Sequence, residues 1–227
     1  MIPPLIMQTA LGCGINLIAI TDHNASENVP AVIKAAQGSA LTVLPGMELQ
    51  TKEEVHVLCL FDTLDQLAQL QAIVDETLPN IQNNIEFFGE QFIVDHTGEF
   101  IRRKDQLLIN STNLSFEQAF LTVTELGGLF IPAHVNRQAF GLINHLGFVP
   151  PVLNIIALEI SRHLSPENAR REFPQIKGYP LIQSGDVHYL SDFLGVTAFL
   201  IKEPTIKEIK FALNGEEGRT FQILPRN

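Results

Sequence analysis

Cysteine is scarce in this 227-residue sequence, which contains only Cys13 and Cys59. Two isolated cysteines exclude a disulfide framework and favour a reducing compartment. No apolar run approaches the roughly 20 residues that a bilayer-spanning helix needs. The N-terminus also lacks the charged, apolar and cleavage regions of a signal peptide. We therefore predict a cytoplasmic protein that has no membrane partner.

Positive charge is also in short supply. The chain has 15 Lys and Arg against 25 Asp and Glu, a formal net charge of −10, and a pI near 5.1. Such acidity argues against binding to a nucleic-acid backbone, although it suits a protein that gathers divalent cations. A hydrophobic content of 45% with only 18% charged residues predicts a well-buried globular fold.

Helix-like and strand-like segments alternate along the chain, and neither a repeat nor a linker interrupts them. This pattern predicts one α/β domain over residues 1–227 with barrel-like character. An Asn- and Gln-rich excursion at about 78–113 departs from the alternation, with a hairpin expected around Thr97 and Gly98. The expected core strands are 17–20, 41–44, 55–60, 129–134, 154–160, 181–188 and 196–201.

Polar residues that can bind metal lie on or just after five of these strands. The candidate ligands are His23, Glu48, His56, His134, Asp186 and His188. Loops converge where the strands of α/β sheets end, so these side chains are expected to meet at one rim. Imidazoles combined with bridging carboxylates suit Zn, Mn or Fe.

Each candidate also has a structural interpretation. His56 could be a hydrogen-bonded histidine within a strand, and Glu48 could be a turn residue. Asp186 and His188 would lie on the same strand face. This arrangement suits two ligands of one metal ion, but it equally suits a hydrogen bond between the carboxylate and the histidine. Asp22 or Asn24 could cap the helix that follows. Only the conjunction of all six candidates favours a metal site.

Five motifs, in this order, resemble those of the PHP (polymerase and histidinol phosphatase) family. They are Ile20-Thr21-Asp22-His23-Asn24, Pro45-Gly46-Met47-Glu48, Val55-His56-Val57-Leu58, Ile131-Pro132-Ala133-His134 and Gly185-Asp186-Val187-His188. The resemblance covers nearly the whole chain. It implies a distorted (β/α)7 TIM-like barrel, a two- or three-metal site, and phosphoester hydrolysis by a metal-activated hydroxide.

The resemblance also implies roles for individual residues. By position, His23, Glu48, His56, His134, Asp186 and His188 match the family's metal ligands, with Glu48 as the bridging carboxylate. Asp22 is expected to orient a ligand or a water, so the predicted catalytic set is Asp22, His23, Glu48 and Asp186.

One family feature is missing from the sequence. PHP proteins begin with a strand that carries a His-x-His motif, and no such strand precedes the first helix here. We therefore expect either a shortened version of a longer protein, which we favour, or a family member that has lost its first element. In both cases we expect fewer metal ions and weaker activity than in a form that contains this strand. The lost strand would leave an exposed sheet edge, which makes a homo-oligomer an expectation.

Substrate contacts are expected from Arg137 and Arg162, which follow strand ends and could bind phosphate bidentately. Solvated surface arginines are the alternative for both, and Asn24 is a further pocket candidate. The leading function is a metal-dependent phosphoesterase that uses Zn, Mn or Fe and acts on a small phosphorylated metabolite or nucleotide. The alternatives are a metal-poor, non-catalytic PHP domain with a binding or structural role, and a metal-dependent hydrolase of C–N bonds.

Overall fold

The computed structural model describes residues 1–224 and shows a mixed α/β fold. The elements in chain order are α1 (Pro3–Gly12), β1 (Leu17–Ile20), α2 (Val29–Ala36), β2 (Thr42–Gln50), β3 (His56–Leu60), α3 (Leu64–Thr77), α4 (Ile85–Phe88), β4 (Phe92–Val94), β5 (Phe100–Arg103), α5 (Phe116–Glu125), β6 (Leu129–Pro132), α6 (Leu142–Leu146), β7 (Leu158–Glu159), α7 (Pro166–Glu172), β8 (Leu181–Ile182), β9 (Thr197–Leu200), α8 (Ile206–Asn214) and β10 (Thr220–Ile223).

A four-stranded sheet in the order β1-β2-β3-β6 forms the centre of the fold. β1 and β2 are parallel, whereas β3 runs antiparallel to both β2 and β6. The remaining strands form three pairs, β4 with β5, β7 with β8, and β9 with β10. In the part of the chain that the structure describes, strand hydrogen bonds therefore do not close a barrel, although the predicted α/β class is confirmed.

The central sheet has apolar clusters on both faces because strand side chains alternate. On one face, Met47, Leu49 and Val57 pack in a cluster with Leu70 of α3 and Val123 of α5. The other face carries a second cluster, in which α8 supplies the covering side chains, and its members include Leu44, Leu58, Leu60, Leu129, Ile131, Ile206, Ile209 and Leu213. Apolar side chains thus cover both faces of the sheet.

Several local features, among them the predicted hairpin, have determinants that lie within a few residues. Ser115 caps α5 in a capping box with Gln118, and Ser165 caps α7 just before Pro166. The hairpin expected near Gly98 is formed by β4 and β5. Gly98 has a φ of 91°, a conformation that glycine adopts without strain.

Two predicted strands are much shorter than expected. The segment 154–160 contributes only β7, and 181–188 contributes only β8. These two strands pair with each other over just two residue pairs. Residues 183–188 therefore leave the sheet early, and Asp186 has a φ of 46°, far from extended backbone. The idea that strand periodicity places Asp186 and His188 on one face is wrong for this reason.

Among residues 1–224, no helix is both long enough and apolar enough to cross a bilayer.

Candidate metal centre

Glu48 and His56 form the centre of a histidine–carboxylate cluster at one end of the sheet. Both lie on the same face as Leu58, because Glu48 is paired with Leu58 and His56 precedes it by two residues. The antiparallel turn between β2 and β3 returns the chain to this end of the sheet. His56 Nδ1 and Glu48 Oε1 are 2.8 Å apart and hydrogen-bonded.

His134 and His23 join the cluster from the two neighbouring segments. His134 follows β6, and its Nε2 lies 3.3 Å from Glu48 Oε1. His23 extends β1 alongside β2 and forms an isolated bridge with Glu48, so that its Nδ1 is 3.9 Å from Glu48 Oε2. The ring centroids of His23 and His134 lie 5.0 and 5.3 Å from that of His56. Glu48 is thus the carboxylate that three imidazoles share.

The electrostatics of the cluster keep Glu48 ionised. Burial opposes its ionisation, but hydrogen bonds from His134 and His56 outweigh this effect and hold the pKa of the carboxyl well below its usual range. Burial lowers the pKa of His23, with the Glu48 carboxylate opposing that shift. A neutral imidazole next to an ionised carboxylate is the protonation state that metal ligands require.

The donor set fits a metal ion. One candidate ligand atom from each of His23, Glu48 and His56 can be chosen so that all three lie within 4.8 Å of one another. Buried nitrogens of His23, His56 and His134 have no hydrogen-bond partner among residues 1–224, and such atoms are normally satisfied. Imidazole and carboxylate donors suit Zn, Mn and Fe.

Asp186 and His188 lie on the more exposed side of the cluster, on a loop rather than a strand. The ring of His188 is 6.1 Å from that of His23, and its Nδ1 is 3.6 Å from Asp186 Oδ1. Asp192 holds the loop by accepting a hydrogen bond from the His188 backbone N–H. The loop thus brings His188 next to His23, with Asp186 beside His188.

The predicted substrate-binding residues have different surroundings. Arg137 forms an ion pair with Asp186 and therefore lies at the edge of the cluster. Arg162 instead donates to the carbonyl oxygens of Gly185 and Asp192, which fixes the 185–192 loop.

Asn24 is fully buried, and its side-chain amide hydrogen-bonds within the chain. Its Nδ2 donates to the carbonyl oxygens of Leu108 and Asn110, while its Oδ1 accepts from the Gln50 backbone. Asn24 thereby ties the segment after His23 to the end of the 78–113 excursion.

Asp22 points its carboxylate toward α2 rather than hydrogen-bonding with a histidine. Asn28 Nδ2 is 3.5 Å from Asp22 Oδ2, and burial raises the pKa of the Asp22 carboxyl. Its contribution to the sheet end comes through the backbone, because Glu48 N–H donates to the Asp22 carbonyl oxygen.

Two residues at the site, Glu159 and Phe140, were not predicted from the sequence. Glu159 is buried; it accepts hydrogen bonds from the His134 backbone N–H and from the Ser184 hydroxyl. Burial raises the pKa of its carboxyl. An acidic residue next to the end of an apolar run was the signal used elsewhere in the chain, and it could have identified Glu159. Phe140, whose ring stacks on His56, had no comparable sequence signal.

Comparisons with known proteins identify the fold. No protein-family model matches the sequence, and no curated protein matches it. The lesion-specific endonuclease PfuEndoQ from Pyrococcus furiosus superposes with a TM-score of 0.70 and 21% identity, over 97% of this chain and 53% of that chain. Endonuclease Q in complex with a 27-mer duplex, with an abasic lesion at its active site, superposes with a TM-score of 0.63 and 20% identity. The match covers 96% of this chain and 52% of that chain.

A third structure has a length closer to that of this chain. It is a protein from Bifidobacterium adolescentis assigned as a metal-dependent phosphoesterase, with a TM-score of 0.56 and 15% identity over 83% of this chain and 82% of that chain. The chain spans about half the length of the two endonuclease structures. The resemblance to PHP-type phosphoesterases is thus confirmed at the level of the fold.

These comparisons overturn one prediction. We had expected a small phosphorylated substrate and, from the acidic composition, no contact with a nucleic-acid backbone, but the fold is shared with endonucleases, one of them bound to a DNA duplex. The expectation from net charge was wrong because net charge counts only side chains. Divalent ions held by a histidine–carboxylate cluster would bring positive charge to a phosphate without any basic surface.

Proposed function

We propose that this chain is a metal-dependent phosphodiesterase that cleaves a nucleic-acid strand. The observation that carries the proposal is the shared Glu48 carboxylate, with three histidines around it and three buried imidazole nitrogens unpartnered within residues 1–224. The fold shared with lesion-specific endonucleases supports a phosphodiester as the substrate.

The cluster residues would hold the metal. His23, Glu48, His56 and His134 form its buried part, and Asp186 and His188 its more exposed part. Divalent ions bound there would supply charge stabilisation to the phosphoryl group and would acidify water. We expect one or two ions, of Zn, Mn or Fe, from the six donors.

The residues around the cluster would orient the substrate. The Arg137 guanidinium lies beside Asp186, at the edge where a phosphate would approach, and guanidinium groups bind phosphate through paired hydrogen bonds. Arg162 is already engaged with backbone carbonyl oxygens and would act by keeping Asp186 and His188 in place. Asp186 would therefore be flanked by one arginine that binds substrate and one that supports the loop.

The test begins with protein stripped of metal by a chelator and then reloaded separately with Mn²⁺, Zn²⁺ or Fe²⁺. End-labelled DNA, single-stranded or duplex and with or without an abasic site, would be followed on denaturing gels. We expect metal-dependent cleavage that falls at least about 100-fold in His56→Ala and Glu48→Gln, which remove ligands of the ion.

The matched control is His96→Ala. His96 lies between β4 and β5, and within residues 1–224 its one charged partner is Asp95, at 3.9 Å. This variant should keep wild-type metal content and cleavage. The proposal would be contradicted if the wild-type protein, fully loaded with metal, cut no strand. Tight DNA binding without metal would instead favour the non-catalytic alternative.

A further inference from the structure

The loop that follows His134 folds back over the cluster at Phe140. The His56 backbone N–H donates to the Phe140 carbonyl oxygen at 3.0 Å, and the Phe140 N–H donates to His145 Nε2 at 3.2 Å. The turn needs glycine at position 141, because a Cβ there would lie 2.2 Å from the Arg137 carbonyl oxygen. The backbone of Phe140 is therefore held on both sides.

Phe140 is held in a conformation that bulky residues avoid. Its φ is 60°, in the left-handed region, where a non-glycine aromatic residue is strained. Its ring nevertheless lies flat on the His56 imidazole, with centroids 4.3 Å apart and an interplanar angle of 5°. The residue remains 38% exposed. His56 covers one face of the ring, so a nucleobase would have to pack on the opposite face or the edge.

We infer that Phe140 is a base-stacking residue, on which a nucleobase next to the scissile phosphate packs. This inference rests on the proposed function and extends it to the recognition of the strand. Every nucleobase offers an aromatic face, so an exposed aromatic ring can bind a strand with little sequence preference. The same short loop carries Arg137, which lies three residues earlier beside Asp186. One loop would thus supply a phosphate contact and a base contact.

A simpler role for Phe140 is to shield the His56 imidazole from water. Burial of an apolar ring against a metal ligand would support that ligand without any contact with substrate. The two roles differ in one measurable respect. A shielding ring affects metal content and all substrates equally, whereas a stacking ring matters only for substrates that carry bases.

Because the sequence has no tryptophan, Phe140→Trp introduces a single indole at the proposed stacking position. The probes are oligothymidylate and an abasic strand of equal length, titrated into protein loaded with Mn²⁺. We expect the thymine strand to quench the indole fluorescence and the abasic strand to leave it unchanged. The control is Phe148→Trp, because Phe148 is 54% exposed and makes no aromatic contact within residues 1–224. Its fluorescence should respond to neither strand.

A second variant keeps the test independent of the indole. Phe140→Leu should bind and cleave the thymine strand roughly 5- to 150-fold less well, the loss expected when one base loses its aromatic partner. Its metal content and its binding of the abasic strand should equal those of the wild type. Equal losses on both strands, or lowered metal content, would establish shielding and overturn the inference.

The outcomes also separate this inference from the proposed function. If the wild type cleaves the thymine strand while the Phe140→Trp indole is not quenched, stacking is wrong and the phosphodiesterase proposal stands. If the indole is quenched but no strand is cut, Phe140 binds bases and the proposed activity is wrong. Absence of both quenching and cleavage contradicts both proposals.

Discussion

Glu159 connects two of the segments that supply the cluster. Its carboxylate accepts from the His134 backbone N–H at 3.0 Å and from the Ser184 hydroxyl. Ser184 Oγ in turn accepts from the Asp186 backbone N–H at 3.3 Å. His134 and Asp186 both have positive φ angles, of 30° and 46°. Glu159 therefore holds two strained ligand-bearing turns in their present conformations.

We predict that Glu159→Ala weakens metal binding about 10- to 100-fold, the usual effect of losing a residue that positions ligands. The truncation would leave the buried His134 N–H without its acceptor, a defect of about 1–3 kcal/mol. Calorimetric titration with Zn²⁺ would measure the affinity. The urea midpoint of the metal-free protein would show any general loss of stability.

Glu159→Gln keeps one side-chain acceptor, so its metal affinity should lie between those of Glu159→Ala and the wild type. Glu76→Ala removes an exposed carboxylate of α3 and should match the wild type. Unchanged Zn²⁺ affinity in Glu159→Ala would show that the His134 and Asp186 turns keep their geometry without this residue.

At the scale of the elements, α8 is joined to the start of β10 by a buried ion pair. Two guanidinium nitrogens of Arg219, Nε and Nη2, each donate a hydrogen bond of 2.9 Å to a different carboxylate oxygen of Glu208. These hydrogen bonds, with one from the Lys202 backbone, lower the pKa of Glu208 to about 2 from an ordinary value of 4.5. The bidentate geometry suits the planar guanidinium.

This pairing predicts a pH-dependent stability. The native state binds fewer protons than the unfolded chain between the two pKa values, so the contribution of Glu208 is complete above about pH 4.5. It is lost as the pH falls from there toward 2. The urea midpoints of wild type and Glu208→Gln should therefore differ at neutral pH and converge in acid. The exposed Glu203→Gln should show no such convergence, and a gap that stays constant with pH would refute the assignment.

What the sequence could predict differs between local and long-range features. The caps at Ser115 and Ser165 and the β4–β5 hairpin follow from residues within one turn, and all are present. The antiparallel course of β3 depends on how residues 51–54 reverse the chain. This reversal brings His56 to the sheet end from the start of its strand.

Among the site residues, the segments that carry His23, Glu48, His56 and His134 are each recognisable as an apolar run with an adjacent polar group. The placement of His188 is different, because it depends on contacts with Asp192 and Arg162 that lie outside any motif. The flat contact between Phe140 and His56 likewise requires a strained turn that hydrophobic periodicity does not encode.

At the scale of the whole molecule, the net charge of −10 determines how a nucleic acid could be held. Few basic side chains are available, so binding should depend on metal ions and on one or two phosphate contacts. We predict a shallow salt dependence, with a slope of log K against log salt of about −1 to −2. Chelation should abolish the binding. Anisotropy of a labelled strand in Mn²⁺, at several KCl concentrations, would measure both effects.

Arginine variants provide the comparison. Arg137→Ala should reduce the magnitude of the slope by about 1, because one phosphate contact is lost. Arg171→Ala, whose side chain is 69% exposed and whose charged neighbour is Glu172, should leave the slope unchanged. A slope steeper than about −5, or binding that survives chelation, would point to a basic surface rather than to the cluster.

The cluster draws its side chains from positions 23 to 188 of the chain, and this spacing has a consequence for the kinetics of folding. Contacts between residues so distant in sequence form late, since long loops must close before them. A metal ion would therefore find its complete set of donors only after the barrier to folding has been crossed. Metal binding would therefore slow unfolding and leave the rate of folding nearly unchanged. The bound ion would prolong the lifetime of the native state without directing the chain toward it.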